Sequence, residues 1–182
     1  SLRLEPDIHS SRSSLPISLH QAHKKAIIYR MTKLTLVILN YNSKFWLKKC
    51  LSSIVEHYLP NTKHKIETVV IDNNSQDQSI EMVEEDFNSV KVIQLEKNVG
   101  FAAGNNVFLK QAESEYVMLL NSDTELSELS NLDTLLEFMD QNQQVAVTTP
   151  KLLLSNGSLD WACHRGEPTL WASLTYYLKL EQ

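Results

Sequence analysis

A chain of 182 residues and 20.8 kDa, 42% apolar and 21% charged with a formal net charge of −5, can bury one hydrophobic core and is too acidic for a general nucleic-acid binder. Leaving tyrosine aside, its longest uninterrupted apolar runs, such as Leu36 to Leu39 and Val117 to Leu120, are four residues, whereas a membrane-spanning helix needs about 18 to 20. The two cysteines, Cys50 and Cys163, have neither CxxC nor Cys/His spacing, so no disulfide framework or zinc site is expected and a reducing, cytoplasmic setting is.

Charge divides the chain. Residues 1–30 carry a net +3 and residues 31–182 a net −8. The first segment is rich in Ser and His without a sustained period, and it lacks the apolar core of a signal peptide. It reads as a disordered extension, an organelle-targeting segment or a remnant of cloning, and residues 31–182 as the domain.

From Met31 the apolar period switches repeatedly between short runs and helical spacing. Leu34 to Leu39 has the continuous apolar character of a strand buried on both faces. Leu47, Leu51, Ile54, Val55 and Tyr58 then repeat as one helix that Pro60 closes. Ile66 to Ile71 is a second strand, and Asp77 begins a helix with Ile80, Val83 and Phe87 on one face. Val90 to Leu95 predicts a third strand, Ala102 to Ala112 a helix, and Tyr116 to Leu120 a fourth strand. A helix over Leu129 to Met139 and a fifth strand over Val145 to Thr149 follow. Strand and helix alternating in this way predict parallel strands joined by right-handed crossovers: an α/β fold in three layers, with helices on both faces of a mainly parallel sheet. Beyond Pro150, Lys151 to Leu154 and Ser158 to Ala162 flank an Asn-Gly pair, the signature of a hairpin.

Ligands of open parallel sheets lie outside the carboxyl ends of the strands. Here those ends read Asn40-Tyr41-Asn42, Asp72-Asn73-Asn74-Ser75, Glu96-Lys97-Asn98 and Asn121-Ser122-Asp123. Each cluster alone is good turn and helix-cap material. Four on one sheet edge describe a lined pocket. Glycine is scarce, four in the chain, yet Gly100 and Gly104 both fall in the stretch Asn98 to Asn106, where a small-residue loop opens a helix and its N-terminus favours anions. Neither GxGxxG nor GxxxxGK[ST] occurs, which argues against a dinucleotide-binding domain and a P-loop hydrolase.

LTLVILNYNS, VVIDNNSQD, NVGFAAGNN and YVMLLNSDTEL, in this order, resemble the inverting family 2 glycosyltransferases of GT-A fold, nearest their rhamnosyltransferase-like branch. The resemblance runs from Met31 to about Gln182. It implies a donor-binding set of Asn40, Tyr41, Asn42, Asp72, Asn74, Asn98, Gly100, Phe101, Gly104, Asn105, Asn121, Ser122 and Asp123. In that set Asp72 takes the aspartate that meets the nucleobase, and Asp123 the last acidic position of the DxD motif that holds Mg²⁺ or Mn²⁺ on the donor diphosphate. The first DxD aspartate is replaced by Asn121, a substitution that occurs in the branch resembled. The implied partners are a nucleoside-diphosphate sugar, dTDP- or UDP-linked, and a glycan or lipid-linked acceptor, at the inner face of the cell membrane.

The family's general base lies well downstream of the metal motif, and 59 residues follow Asp123 here. Asp160 and Glu167 are near but out of context. The chain therefore reads as the donor-binding part of a longer transferase, the fold incomplete at its C-terminus. His164 and Arg165 suit either a diphosphate contact or a solvated loop with Trp161 and Trp171 in core. The stripe Leu170, Trp171, Leu174, Leu178 suits packed core or a membrane-surface helix. A non-catalytic nucleotide-sugar-binding fragment and a ligand-free interaction domain are the other function classes.

Overall fold

The computed structural model describes residues 32–128, 130–154 and 156–160. They form two compact units that divide after Ser130. The extension at residues 1–30 and the readings on Trp161, Cys163, His164, Arg165, Glu167 and the Trp171 stripe lie outside the described residues.

The first unit is built on four strands: β1 (Leu34–Asn40), β2 (Ile66–Asp72), β3 (Lys91–Gln94) and β4 (Tyr116–Asn121). All pair in parallel, in the order β3-β2-β1-β4. β1 is the central strand, which explains its unbroken apolar run: Leu36, Val37 and Ile38 are fully buried, each contributing about 1.5–3 kcal/mol of apolar transfer energy. The helices between the strands are α1 (Lys44–Ser53), α2 (Ser79–Asp86) and α3 (Phe101–Leu109).

Strand order fixes the layers. Right-handed crossovers from β1 to β2 and from β2 to β3 advance in one direction, so α1 and α2 share a face and pack on each other. The crossover from β3 to β4 runs back past β1 and puts α3 on the opposite face. There Phe108 packs with Val37, Val69 and Ile71. α3 comes close to β1 because Gly104 has no side chain: a Cβ at that position would stand 2.7 Å from Leu39 Cδ1.

Two sequence expectations are corrected. The helix from Leu47 to Tyr58 is not continuous, since α1 passes into a π-helical turn at Ile54–Tyr58. Ile54 and Tyr58 stay buried through it, so the apolar spacing gives no sign of the wider winding. Val145 to Thr149 is not a strand: these residues have no regular structure, and Val147 is 85% exposed. The β-branched pattern is present, but among the described residues no neighbouring strand pairs with it, and a strand's backbone groups need a ladder.

The second unit holds α4 (Leu132–Gln141), which Asn131 caps by accepting from the Thr134 N–H. It also holds the expected turn, with Gly157 at φ +80° and one antiparallel bridge joining Leu153 to Leu159.

Candidate functional site

The order β3-β2-β1-β4 places the topological switch point between β1 and β4, where the chain leaves the sheet toward opposite faces and a crevice must open. A cleft of about 750 Å³ lies there. It is lined by Leu39, Tyr41, Ser43 and Trp46 from the β1 exit, Asn73 from β2, Asn98, Gly100 and Phe101 beyond β3, and Asn121, Ser122 and Asp123 from β4. All four strand exits therefore meet in one cleft. Seven of the thirteen residues named from sequence line it: Tyr41, Asn98, Gly100, Phe101, Asn121, Ser122 and Asp123.

The other six are not among the lining residues, and only some of them are buried. Asn40 is 0% exposed and Asp72 4%. They form the last matched pair of the β1–β2 ladder, and Asn40 Nδ2 donates to Asp72 Oδ1 at 3.1 Å. Asp72 also accepts from the Ser75 hydroxyl at 2.5 Å and, through Oδ2, from the Ser75 N–H at 2.9 Å. Buried polar groups must be paired in this way, and the pairing uses both oxygens of Asp72 inside the protein. Asn42 (φ +49°) and Asn74 (φ +69°) hold left-handed turn conformations that Asn tolerates. Asn42 also staples the first two exits together, its N–H donating to Ser75 Oγ and its Oδ1 accepting from the Gln76 N–H. Gly104 is a packing glycine against Leu39. Asn105 is buried and donates to the Phe101 carbonyl.

Four lining residues stand outside the thirteen: Leu39, Ser43 and Trp46, and Asn73, which the sequence reading placed in a polar strand exit without assigning it to the donor-binding set. Asn73 carries the most structure. Its Nδ2 donates to Asn98 Oδ1 and its Oδ1 accepts from the Val99 N–H, both at 2.9 Å. Asn98 Oδ1 accepts from Gly100 as well, so Asn73 fixes the whole loop ahead of α3. Gly100 sits at φ +83°, a region side chains rarely enter. The signal for Asn73 was the Asp-Asn-Asn-Ser string itself, in which one residue turns inward to the ladder and the next outward.

Aromatic rings border the cleft. Phe101 is 63% exposed and Trp46 48%. The Trp46 ring stands edge-on to Phe45, and Lys49 Nζ lies 5.6 Å from its centroid while pairing with Glu125 at 3.3 Å. A second hollow along α1, lined by Lys44, Lys48, Lys49, Glu56, His57 and Asp77 among others, has two of its three lysines drawn off: Lys48 pairs with Asp86 and Lys49 with Glu125. It collects no strand exit.

Two groups of this unit are electrostatically marked. Burial, reinforced by the charges of Asp123 and Glu125, pushes the Cys50 thiol up to about 12. Cys50 is buried and free under the β4 exit, with Sγ 3.8 Å from the Asn121 carbonyl. For Asp77, burial raises the carboxyl pKa, but hydrogen bonds from the Ser79 hydroxyl and from the Lys44 and Ser79 amides outweigh it and hold the group below its ordinary value. Asp77 thereby caps α1 and α2 together.

For a divalent cation the oxygen donors in the cleft are the Asp123 carboxylate, the Asn121 amide and the Ser122 hydroxyl. Among the described residues no group of three or more His, Cys, Asp or Glu is placed to hold a metal ion. The set fits a hard cation bound jointly with phosphate oxygens, which needs only one or two carboxylates from the protein. It does not make a self-sufficient protein cage.

A four-stranded parallel sheet with a polar, aromatic-rimmed cleft at its switch point defines an open α/β domain whose candidate ligand cleft lies at the strand exits. The model of glycosyl transferase family 2 matches residues 35–179, and the chain belongs to that family. It is 38% identical over 96 residues to a poly(ribitol-phosphate) β-N-acetylglucosaminyltransferase, TarS, of Staphylococcus aureus, spanning 51% of this chain and 16% of that protein. It is 30% identical over 101 residues to a teichoic acid poly(glycerol phosphate) polymerase of Staphylococcus epidermidis, spanning 53% and 14%. A crystal structure of S. aureus TarS 1-349 in complex with UDP-GlcNAc superposes with a TM-score of 0.53 at 29% identity, covering 69% of this chain and 41% of that one. The chain thus spans less than half the length of the relatives it matches, and its sheet is the GT-A type expected from sequence.

Proposed function

We propose that this chain binds the nucleoside-diphosphate sugar of a glycosyltransferase in the switch-point cleft, for inverting transfer of the sugar to a hydroxyl of a glycan or lipid-linked acceptor at the inner face of the cell membrane. The observation that carries this reading is the convergence of four polar strand exits on one cleft, with Asp123 at its β4 side. The base lies over Tyr41 and Asn73, and the diphosphate reaches Asp123. Asp72 reaches the base only through the backbone turn it holds, because its oxygens are spent on Asn40 and Ser75. A UDP-sugar is favoured over a dTDP-sugar by the solved TarS complexes with UDP and UDP-GlcNAc. Asp123, with the Asn121 amide and the Ser122 hydroxyl beside it, would hold Mg²⁺ or Mn²⁺, which would supply charge neutralisation for the leaving group.

A second reading has its own support. Asp123 is the only carboxylate among the described residues that line the cleft, so the general base required by inversion is not within it, which favours donor binding without turnover by this chain.

Calorimetric titration of UDP, dTDP, GDP and NAD, each with Mn²⁺ and with EDTA, tests the proposal. UDP binding that strengthens with Mn²⁺ and falls at least about tenfold in Asp123→Ala, roughly 1.4 kcal/mol, is expected. Binding indifferent to EDTA removes the metal role, and no binding of any nucleotide to the folded chain removes the whole reading. Donor hydrolysis or transfer by the same preparation separates an enzyme from a binding fragment.

A further inference from the structure

The hydrogen-bond partners around β1 constrain one another's directions, and the constraint reaches into the cleft. Asp72, as a carboxylate, only accepts. Asn40 must therefore turn its amide nitrogen toward Asp72 and Ser75, both at 3.1 Å. The Ser75 hydroxyl donates to Asp72 and accepts from Asn40 and from the Asn42 N–H, so it offers no alternative orientation. With its nitrogen fixed, Asn40 presents its oxygen to Ser43, and the Ser43 hydroxyl spends its one proton there, at 2.8 Å. Ser43 Oγ also lies 2.9 Å from Ser122 Oγ. Its proton being committed, Ser43 can only accept in that contact, and Ser122 must donate. Ser122 lines the cleft with its proton already used, and so has only lone pairs to offer a ligand. Whatever meets Ser122 Oγ there is a cation or a hydrogen-bond donor, never a bare phosphate oxygen.

We propose that Asp72, Asn40 and Ser43 form a directional relay that holds the Ser122 hydroxyl as an acceptor beside Asp123, making Ser43 a positioning residue for the cation end of the donor site. The inference rests on the donor-binding reading above. It explains how a motif that has exchanged its first carboxylate for Asn121 keeps oxygen density aimed at a cation: the charge of Asp72, too deeply enclosed to touch ligand, is expressed two hydroxyls away. It also gives Asp72 and Asn40, both outside the lining, a role in binding.

The test is the ratio of UDP affinities measured with Mn²⁺ and with EDTA, which cancels any loss of binding common to both conditions. Ser43→Ala and Ser122→Ala are each expected to lower that ratio about three- to tenfold. The double variant is expected to match Ser122→Ala, because Ser43 acts on the cation only through the Ser122 hydroxyl. Ser43→Thr, which keeps the hydroxyl, should restore the ratio, and circular dichroism verifies the fold of each variant. A ratio unchanged in Ser43→Ala, or losses that add in the double variant, overturn the relay while leaving the donor site standing. A wild-type ratio near one overturns the cation role and the relay with it. Failure of wild-type UDP binding overturns the donor reading itself.

Discussion

Asp77 joins two helices through one side chain, and removing it should cost the fold a measurable amount. Its Oδ2 accepts from the Lys44 N–H at 2.7 Å and its Oδ1 from the Ser79 N–H at 3.1 Å, with the Ser79 hydroxyl donating as well. These are first-turn amides of α1 and α2 that have no partner within their helices. A cap of this kind stabilises by about 1 kcal/mol, so Asp77→Ala should lose about 2 kcal/mol, equivalent to a fall of roughly 10 °C in Tm for a unit of this size. Asp77→Asn keeps one carbonyl oxygen and should lose about half as much. The carboxyl pKa is held below its ordinary value in the fold, so its contribution is complete above the unfolded value of about 3.9 and is lost as pH falls through the lowered folded value. Thermal melts of wild type and both variants at pH 5 and pH 3, followed by circular dichroism, measure both effects. A wild-type advantage over Asp77→Asn that shrinks at pH 3 is expected. An unchanged Tm in Asp77→Ala, or an advantage equal at the two pH values, would refute the bridging-cap argument.

Two further outcomes follow from the same geometry. With its thiol at about 12 and buried, Cys50 should react with a thiol reagent at pH 8 about a thousandfold more slowly in the folded chain than in urea, since the thiolate is the nucleophile; equal labelling of the Cys50 peptide by mass spectrometry contradicts this. Gly104→Ala sets a methyl 2.7 Å from Leu39 Cδ1; overpacking of about 1–3 kcal/mol, less about 1 kcal/mol of helix propensity, leaves a net loss near 1 kcal/mol. Because Leu39 lines the cleft, UDP affinity should fall in step, and a stabilised variant with unchanged affinity would refute the packing role.

The sheet was legible because its strands are short apolar runs between helical spacings, and the runs at Leu36 to Leu39 and Val69 to Ile71 belong to strands buried on both faces. The cleft was legible as a coincidence of polar exits. What could not be read was which members of each exit face outward. Asp72 and Asn40 are the residue types that bind nucleotides, but they are also partners across a ladder, and that register pairs them with each other first. Residue type reveals capacity for hydrogen bonding and not who consumes it. Ser43 and Trp46 were missed for another reason: the exit of β1 continues into the first turn of α1, so lining positions extend past the polar cluster. The π-turn left no trace because an added residue per turn preserves an apolar i, i+4 pair.

The place of β1 also bears on how the cleft comes into being. β1 matches Leu34 to Ile66 on one side and Leu34 to Tyr116 on the other, so its first partner is made early in the chain and its second only after β3 and α3 have been passed. Loop closure disfavours the distant pairing, which makes the docking of β4 the natural closing step of assembly. Ser122 and Asp123 arrive with that strand. Under the donor-binding proposal, a chain stopped short of β4 would lack the groups that meet the diphosphate, so ligand affinity would double as a gauge of whether the sheet has been finished.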